Sequence, residues 1–376
     1  MLMIIKIFIF NSRKYDYLTS LLVEGLYKIN NVELKFSNLG SYALEKDVLK
    51  SSDIYRYCYE LADIVVLGSN HYVDYETFST LTECKAKKVY LDGWDTGQIG
   101  LNLKKFRVFD YIFKTNLYQK DDSLANLYRI IFNKKKYSLW SKFYAHTLIP
   151  FPYFHGMQNH MRIRDLIRNI ATLFYPKHIY PMPFGIEDRV INNFNEKPEY
   201  FISCMMLSAR VPERNKLISY LEGKKKDFKK IFIGIIAFDD ESWEIMERLG
   251  ASDPFIDRDN RGYATQNKKY YDQLNNSHIC ISVPGGGFET FRYWEILASG
   301  ALLISKRISL QAHNSLTDGV HFLGFDTIDE LDDVLNFALK NPGEIMKIRR
   351  AGYEFSLKHH RSYNRAKYFL SKTMDI

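Results

Sequence analysis

Arg292 and Glu295 stand three residues apart in Glu289-Thr-Phe-Arg-Tyr-Trp-Glu-Ile-Leu-Ala-Ser-Gly300, just after the turn Pro284-Gly285-Gly286-Gly287. On a helix that spacing puts both side chains on one face. A guanidinium can carry phosphate charge, and a carboxylate with free lone pairs can accept two vicinal hydroxyls. A glycine turn feeding a helix start aims unpaired N–H groups outward, with the positive end of the helix dipole behind them. These parts together suit a nucleotide diphosphate. A plain i,i+3 salt bridge on a surface helix has the same spacing, so the pair alone leaves both readings open.

The elements that must hold these residues are legible on both sides. Residues 278–283 form an apolar, β-branched run of strand length, the helix spans about 289–299, Gly300 ends it, and 301–304 is a second buried strand. The string GGGFETFRYWEILASGALLIS resembles the donor-binding segment of GT-B glycosyltransferases, in particular the bacterial CgeB-like and related family 1-type enzymes. There a glycine turn precedes R-x-W-E-A-L-A-x-G. Arg292, Trp294, Glu295, Leu297, Ala298 and Gly300 match, and Ile296 replaces the usual alanine. The resemblance implies that Glu295 holds the nucleotide ribose and that Gly285, Gly286 and Gly287 face the diphosphate.

The remainder fits two α/β domains. Residues 4–10, 32–37, 63–68, 88–93 and 110–115 read as strands alternating with helices, which argues for a parallel sheet covered by helices. Ligands of open α/β sheets sit beyond the carboxyl ends of the strands. The loops after Leu67 and Leu91 therefore supply His71, Asp92 and Asp95 as candidate bases to take an acceptor hydroxyl proton. Each also has a plain reading as a turn or cap residue. The segments 90–95 and 110–114 resemble the family's D-G-x-D and D-x-Y-F-K stretches, with Thr115-Asn116 where an Arg-Glu pair is usual. Residues 179–186 resemble its P-x-P-F-G-I segment and read as a rigid turn out of the first domain.

A second strand series begins at 200–206, followed by Arg210 and Arg214 and a helix through 221. In GT-B enzymes the loop there faces the donor, so the resemblance implies both arginines as diphosphate ligands. Tyr270, Tyr271 and Leu274 recur at helical spacing and read as packing positions. Asp257-Arg-Asp259 is a three-residue D-x-D match in a polar stretch and is not read as a metal site. Residues 321–325 read as a last strand, with helices at 329–339 and 343–369; His359 and His360, adjacent on a helix, read as surface residues.

The 376 residues carry a net charge of +8. Residues 1–180 hold 25 Lys+Arg against 17 Asp+Glu, and the remainder 27 against 27, so the whole excess lies in the first half. That fits a solvated face, or attraction to anionic headgroups or a lipid-linked phosphate acceptor. The four cysteines have no C-x-x-C pair and no ligand spacing, which argues against a zinc site or disulfide framework and for a reducing compartment. Residues 1–10 are too short to span a membrane and carry no cleavage signature. The expected location is cytoplasmic, with peripheral membrane contact through the basic half. A nicotinamide-binding Rossmann domain would place G-x-G-x-x-G after an early strand, and no glycine loop follows residues 4–10.

The sequence thus predicts an α/β GT-B fold of two Rossmann-like domains with parallel sheets. Residues 1–190 form the acceptor side, 191–345 bind the nucleotide-sugar, and a C-terminal helix over 346–376 crosses back onto the first domain. The expected function is transfer of a sugar from a nucleotide-sugar to a hydroxyl of a glycan, lipid-linked or protein acceptor, without cofactor or metal. The alternative is a non-catalytic α/β protein binding nucleic acid or membrane; no nucleic-acid recognition motif supports it, though a nucleic acid remains compatible as an acceptor.

Overall fold

The computed structural model describes residues 3–10, 16–37, 58–68, 75–93, 107–115, 178–206, 212–228, 230–235, 268–284, 289–307 and 313–374. His71, Asp95, Arg210, Gly285, Gly286, Gly287 and the D-x-D stretch lie outside them. The chain divides into two compact units. Unit 1 comprises 1–187, 309–315 and 361–376, and unit 2 comprises 188–308 and 316–360.

Unit 1 holds a parallel sheet of β1 (Ile5–Phe10), β2 (Val32–Phe36), β3 (Ile64–Gly68), β4 (Lys87–Asp92), β5 (Tyr111–Lys114) and β6 (His178–Pro181), in the order β2-β1-β3-β4-β5-β6. All five residues of β3 are buried, as a central parallel strand covered on both faces requires. Helix α1 (Tyr17–Tyr27) is capped by Asp16, whose carboxylate accepts from the Leu18 and Thr19 amides. Phe8, Val65, Leu67, Phe109 and Ile112 build a core with Leu81 of α2 (Tyr75–Glu83).

Unit 2 repeats the plan. Strands β7 (Tyr200–Met206), β8 (Ile231–Ile235), β9 (Ser277–Ser282), β10 (Leu302–Lys306) and β11 (Leu323–Phe325) are parallel in the order β11-β10-β9-β7-β8. Its helices are α3 (Pro212–Lys224), α4 (Lys268–Asn275), α5 (Phe291–Ser299), α6 (Ile328–Lys340) and α7 (Pro342–His359). In both sheets the order reverses beside the unit's first strand, at β1/β3 and at β7/β9. That reversal opens a crevice at the strands' carboxyl ends.

Three sequence expectations change. The segment 179–186, read as a turn, begins with strand β6, whose Pro181 ends the strand at a sheet edge and so costs no ladder hydrogen bond further in. The helix read over 343–369 is two, α7 and α8 (Ser362–Thr373). At the break Arg361 is extended and bridges Ile186, and the Ser362 amide donates to the Ile186 carbonyl at 2.9 Å. Helix α8 alone belongs to unit 1, where the backbone of Ser362 approaches Gly25 of α1 so closely that any Cβ there would collide with it. Ser362 Oγ also donates to Glu24 at 2.6 Å, and Arg365 donates to the Pro183 and Phe184 carbonyls at 3.0 and 2.7 Å.

His360 is likewise not a surface residue. It is fully buried, its ring 4.5 Å from that of Trp294, because the helix ends there and the chain turns into the core.

Candidate functional site

Unit 2 assembles most of the described candidates around its crevice. Arg214 stands in the first turn of α3, after β7, and is buried. Its Nε donates to the Pro284 carbonyl at 3.1 Å, so it reaches across the β7/β9 switch to the start of the glycine turn. Helix α5 begins after that turn. Its N-cap, Thr290, is extended and its side chain makes no capping hydrogen bond. Gly300 closes the helix at φ +78°, a conformation glycine adopts without steric cost, and a Cβ there would meet the Phe194 ring at 2.9 Å.

Arg292 and Glu295 do share the helix, but Glu295 is held by tyrosines while two Arg292 nitrogens go unfilled. Glu295 is 1% exposed, and both carboxylate oxygens are taken by tyrosine hydroxyls: Tyr270 donates to Oε2 at 2.9 Å and Tyr271 to Oε1 at 3.3 Å. Arg189 Nη1 in turn donates to the Tyr271 hydroxyl at 3.2 Å. Arg292 buries its Nε and Nη1 with no hydrogen-bond partner. Burial pushes the Glu295 carboxyl above the usual range; the Tyr270 hydroxyl, the Arg292 and Arg189 charges and the Tyr271 hydroxyl pull the other way.

Burial pushes the Cys204 thiol, inside β7, up to about 12, and the charges of Arg292 and then Arg214 act against it. Both guanidinium charges are thus felt at Cys204 in β7. One guanidinium reaches the start of the glycine turn and the other, in the first turn of α5, has unfilled donors; cations so placed at a helix start suit an anion.

In unit 1, Asp92 ends β4 with 0% exposure and its Oδ1 lies 3.3 Å from Lys114 Nζ, also 0% exposed, at the end of β5. The Thr115 amide and hydroxyl donate to the Asp92 carbonyl at 3.0 and 3.2 Å. Of the three candidate bases it is the one the structure describes, and it is sequestered in an ion pair. Among the described residues no group of three or more His, Cys, Asp or Glu converges on a common point, and no helix is long and apolar enough to cross a membrane.

Sequence reasoning missed the tyrosine pair and Arg189. Periodicity counts Tyr270 and Tyr271 as packing residues, and the rings do pack, edge to face at 5.2 Å. Only the fold shows where the hydroxyls go.

Residues 241–371 match the family described as "Glycosyl transferase-like". No curated protein matches the chain. Among solved structures, Anabaena HepE in complex with UDP is similar over 99% of this chain and 100% of its own, at 11% identity and a TM-score of 0.55. The same protein in complex with UDP-glucose gives 10% identity and a TM-score of 0.54 with the same coverage. At such identities the likeness is one of fold.

Proposed function

We propose that the chain, whose fold is that of the GT-B glycosyltransferases, is a family 1-type glycosyltransferase: unit 2 binds a nucleotide-sugar, and a sugar passes from it to an acceptor hydroxyl without a metal ion. In this reading the diphosphate lies against Arg214, Arg292 and the amides of Gly285 to Gly287, with Arg210 as a further ligand, and the ribose lies on Glu295. The observation that carries the reading is half-buried Arg292, two of whose donors are buried and unfilled, on the helix that follows the glycine turn to which Arg214 reaches. Leaving buried donors of a charged group unmet costs about 1–3 kcal/mol or more, and an incoming phosphate removes that cost.

Catalysis then rests on holding the charge that develops on the leaving diphosphate. Fixed donors of this kind typically contribute about 10²–10³ each in rate. The base that takes the acceptor proton is His71 or Asp95. Asp92 is the weaker candidate, since its carboxylate already neutralises Lys114 away from solvent. The basic excess of residues 1–180 supports unit 1 as the acceptor side, for a glycan, a lipid-linked sugar or a protein, with peripheral contact at an anionic membrane surface.

The test is a thermal-shift and hydrolysis screen against UDP-, GDP-, ADP-, CMP- and dTDP-sugars, with and without EDTA, repeated on Glu295→Ala. UDP-glucose comes first, since HepE is similar in fold and was solved with it. Stabilisation that survives EDTA and is lost in the variant is the expected result. Binding that requires a divalent ion would remove the metal-free part, and no nucleotide binding at all would overturn the donor reading.

A further inference from the structure

Glu295 is held in a way that a simple charge pair does not explain. The nearest sequence partner for its charge is Arg292, three residues earlier on the same helix. A carboxylate buried only for packing would neutralise itself on that guanidinium. Instead two neutral hydroxyls from α4 hold it, one on each oxygen, while Arg292 Nε and Nη1 stay unfilled. The arrangement fixes the carboxylate through the tyrosines while Arg292, whose charge acts on both Glu295 and Tyr270, keeps two nitrogens unfilled.

We propose that Tyr270, assisted by Tyr271, is a positioning residue for Glu295 that sets discrimination between ribose and 2′-deoxyribose in the donor. The inference rests on the ribose reading of Glu295 given above. An ionised carboxylate offers about four lone-pair sites. One tyrosine on each oxygen leaves one site on each, the two-point acceptor that a vicinal diol requires. The Tyr271 hydroxyl is itself oriented, because its oxygen accepts from Arg189 at 3.2 Å and its proton is thereby directed at Glu295. Tyr270 is 2% exposed, with the shorter bond, and so fixes the carboxylate plane more firmly. Its burial and the adjoining carboxylate hold the phenol well above its usual range, so it stays a donor across working pH.

The experiment is calorimetric binding of the ribo and 2′-deoxyribo forms of UDP, GDP, ADP and CDP, and of pyrophosphate, to the full chain and its Tyr270→Phe, Tyr271→Phe and Glu295→Gln variants. The wild type should prefer one ribonucleotide over its deoxy form by tenfold or more. Tyr270→Phe should erase most of that preference, Tyr271→Phe part of it, and both should bind pyrophosphate as the wild type does. A Tyr270→Phe protein that keeps the full preference overturns the proposal. So does one that loses pyrophosphate binding in parallel, which would mark general damage to the site. A wild type that binds nucleotide with no ribose preference removes the ribose reading itself, and the positioning role with it. Loss of preference in Glu295→Gln but not in Tyr270→Phe keeps that reading and sinks the positioning role alone.

Discussion

Both sheets reverse their strand order beside the first strand of the unit, yet the charges at their carboxyl ends are treated in opposite ways. In unit 1, Asp92 and Lys114 close on each other at 3.3 Å across adjacent strands, fully buried. In unit 2, Arg214 reaches the Pro284 carbonyl, Arg292 keeps two nitrogens unfilled, and the carboxylate on the same helix, Glu295, is taken by tyrosines instead. The first arrangement is complete without a ligand. The second is not, because two buried donors of Arg292 lack partners. Similar topology therefore does not mean similar pairing: one end is a closed ion pair, and the other keeps guanidinium nitrogens unfilled, the feature on which the proposed donor site rests.

The largest effect that tests this contrast is on the joint. Removing one member of a buried pair strands the other, at about 3–5 kcal/mol. Lys114→Met should lower stability by that order in urea titrations followed by circular dichroism, and the double variant with Asp92→Asn should recover most of it. Arg292→Met should move the other way. It removes two buried, unfilled guanidinium nitrogens, so the ligand-free protein should gain about 1–3 kcal/mol in the same titration, while turnover falls about 10²–10³-fold. A destabilised Arg292→Met protein would mean that the guanidinium is structural, like Lys114, and the contrast between the two ends would collapse.

Much of this architecture is written locally. The strand over 200–206 is observed with the same bounds, because an apolar run entered from polar Asn195 to Glu199 leaves one alternative only. The α5 helix and its Gly300 stop follow from spacing and from the one residue type that takes φ +78° freely. The break at His360-Arg361 was not legible, since neither residue is a helix breaker. It arises where the chain leaves unit 2 for unit 1 and pairs with Ile186, some 170 positions earlier in sequence. The site divides similarly. Arg292 and Glu295 announce themselves by type and spacing, whereas the hydroxyls of Tyr270 and Tyr271 look identical in sequence to core aromatics. What distinguishes them is the direction of one O–H bond, set by packing of α4 beside α5.

Acidity sharpens the comparison at a smaller scale. Burial raises the Glu295 carboxyl above the ordinary glutamate value of about 4.3. A carboxyl raised on folding favours the fold while protonated, so this contribution to ligand-free stability is present at low pH and is lost as pH rises through the raised value. A ribose diol needs the ionised acceptor, so nucleotide affinity should run oppositely, falling as pH drops through that same value. Calorimetric titrations across pH should give these opposed slopes in the wild type, and Glu295→Gln should flatten both. Matching slopes would mean that Glu295 does not touch the ligand.

The smallest effect separates two helix starts within unit 2. Thr327 caps α6 by accepting the Glu330 amide at 3.1 Å, and removing such a cap costs about 1 kcal/mol. Thr290 occupies the same position on α5 with nearly the same extended backbone, but its hydroxyl lies 3.2 Å from Ser282 Oγ and caps nothing. Thr327→Ala should therefore lose about 1 kcal/mol in urea titrations and Thr290→Ala only a few tenths. The difference matters because a side-chain cap on α5 would fill an amide of its first turn, and that first turn adds to the anion attraction of the glycine turn before it. Equal losses would mean that the start of α5 is already satisfied in the ligand-free protein, and the anion would then rest on the arginines alone.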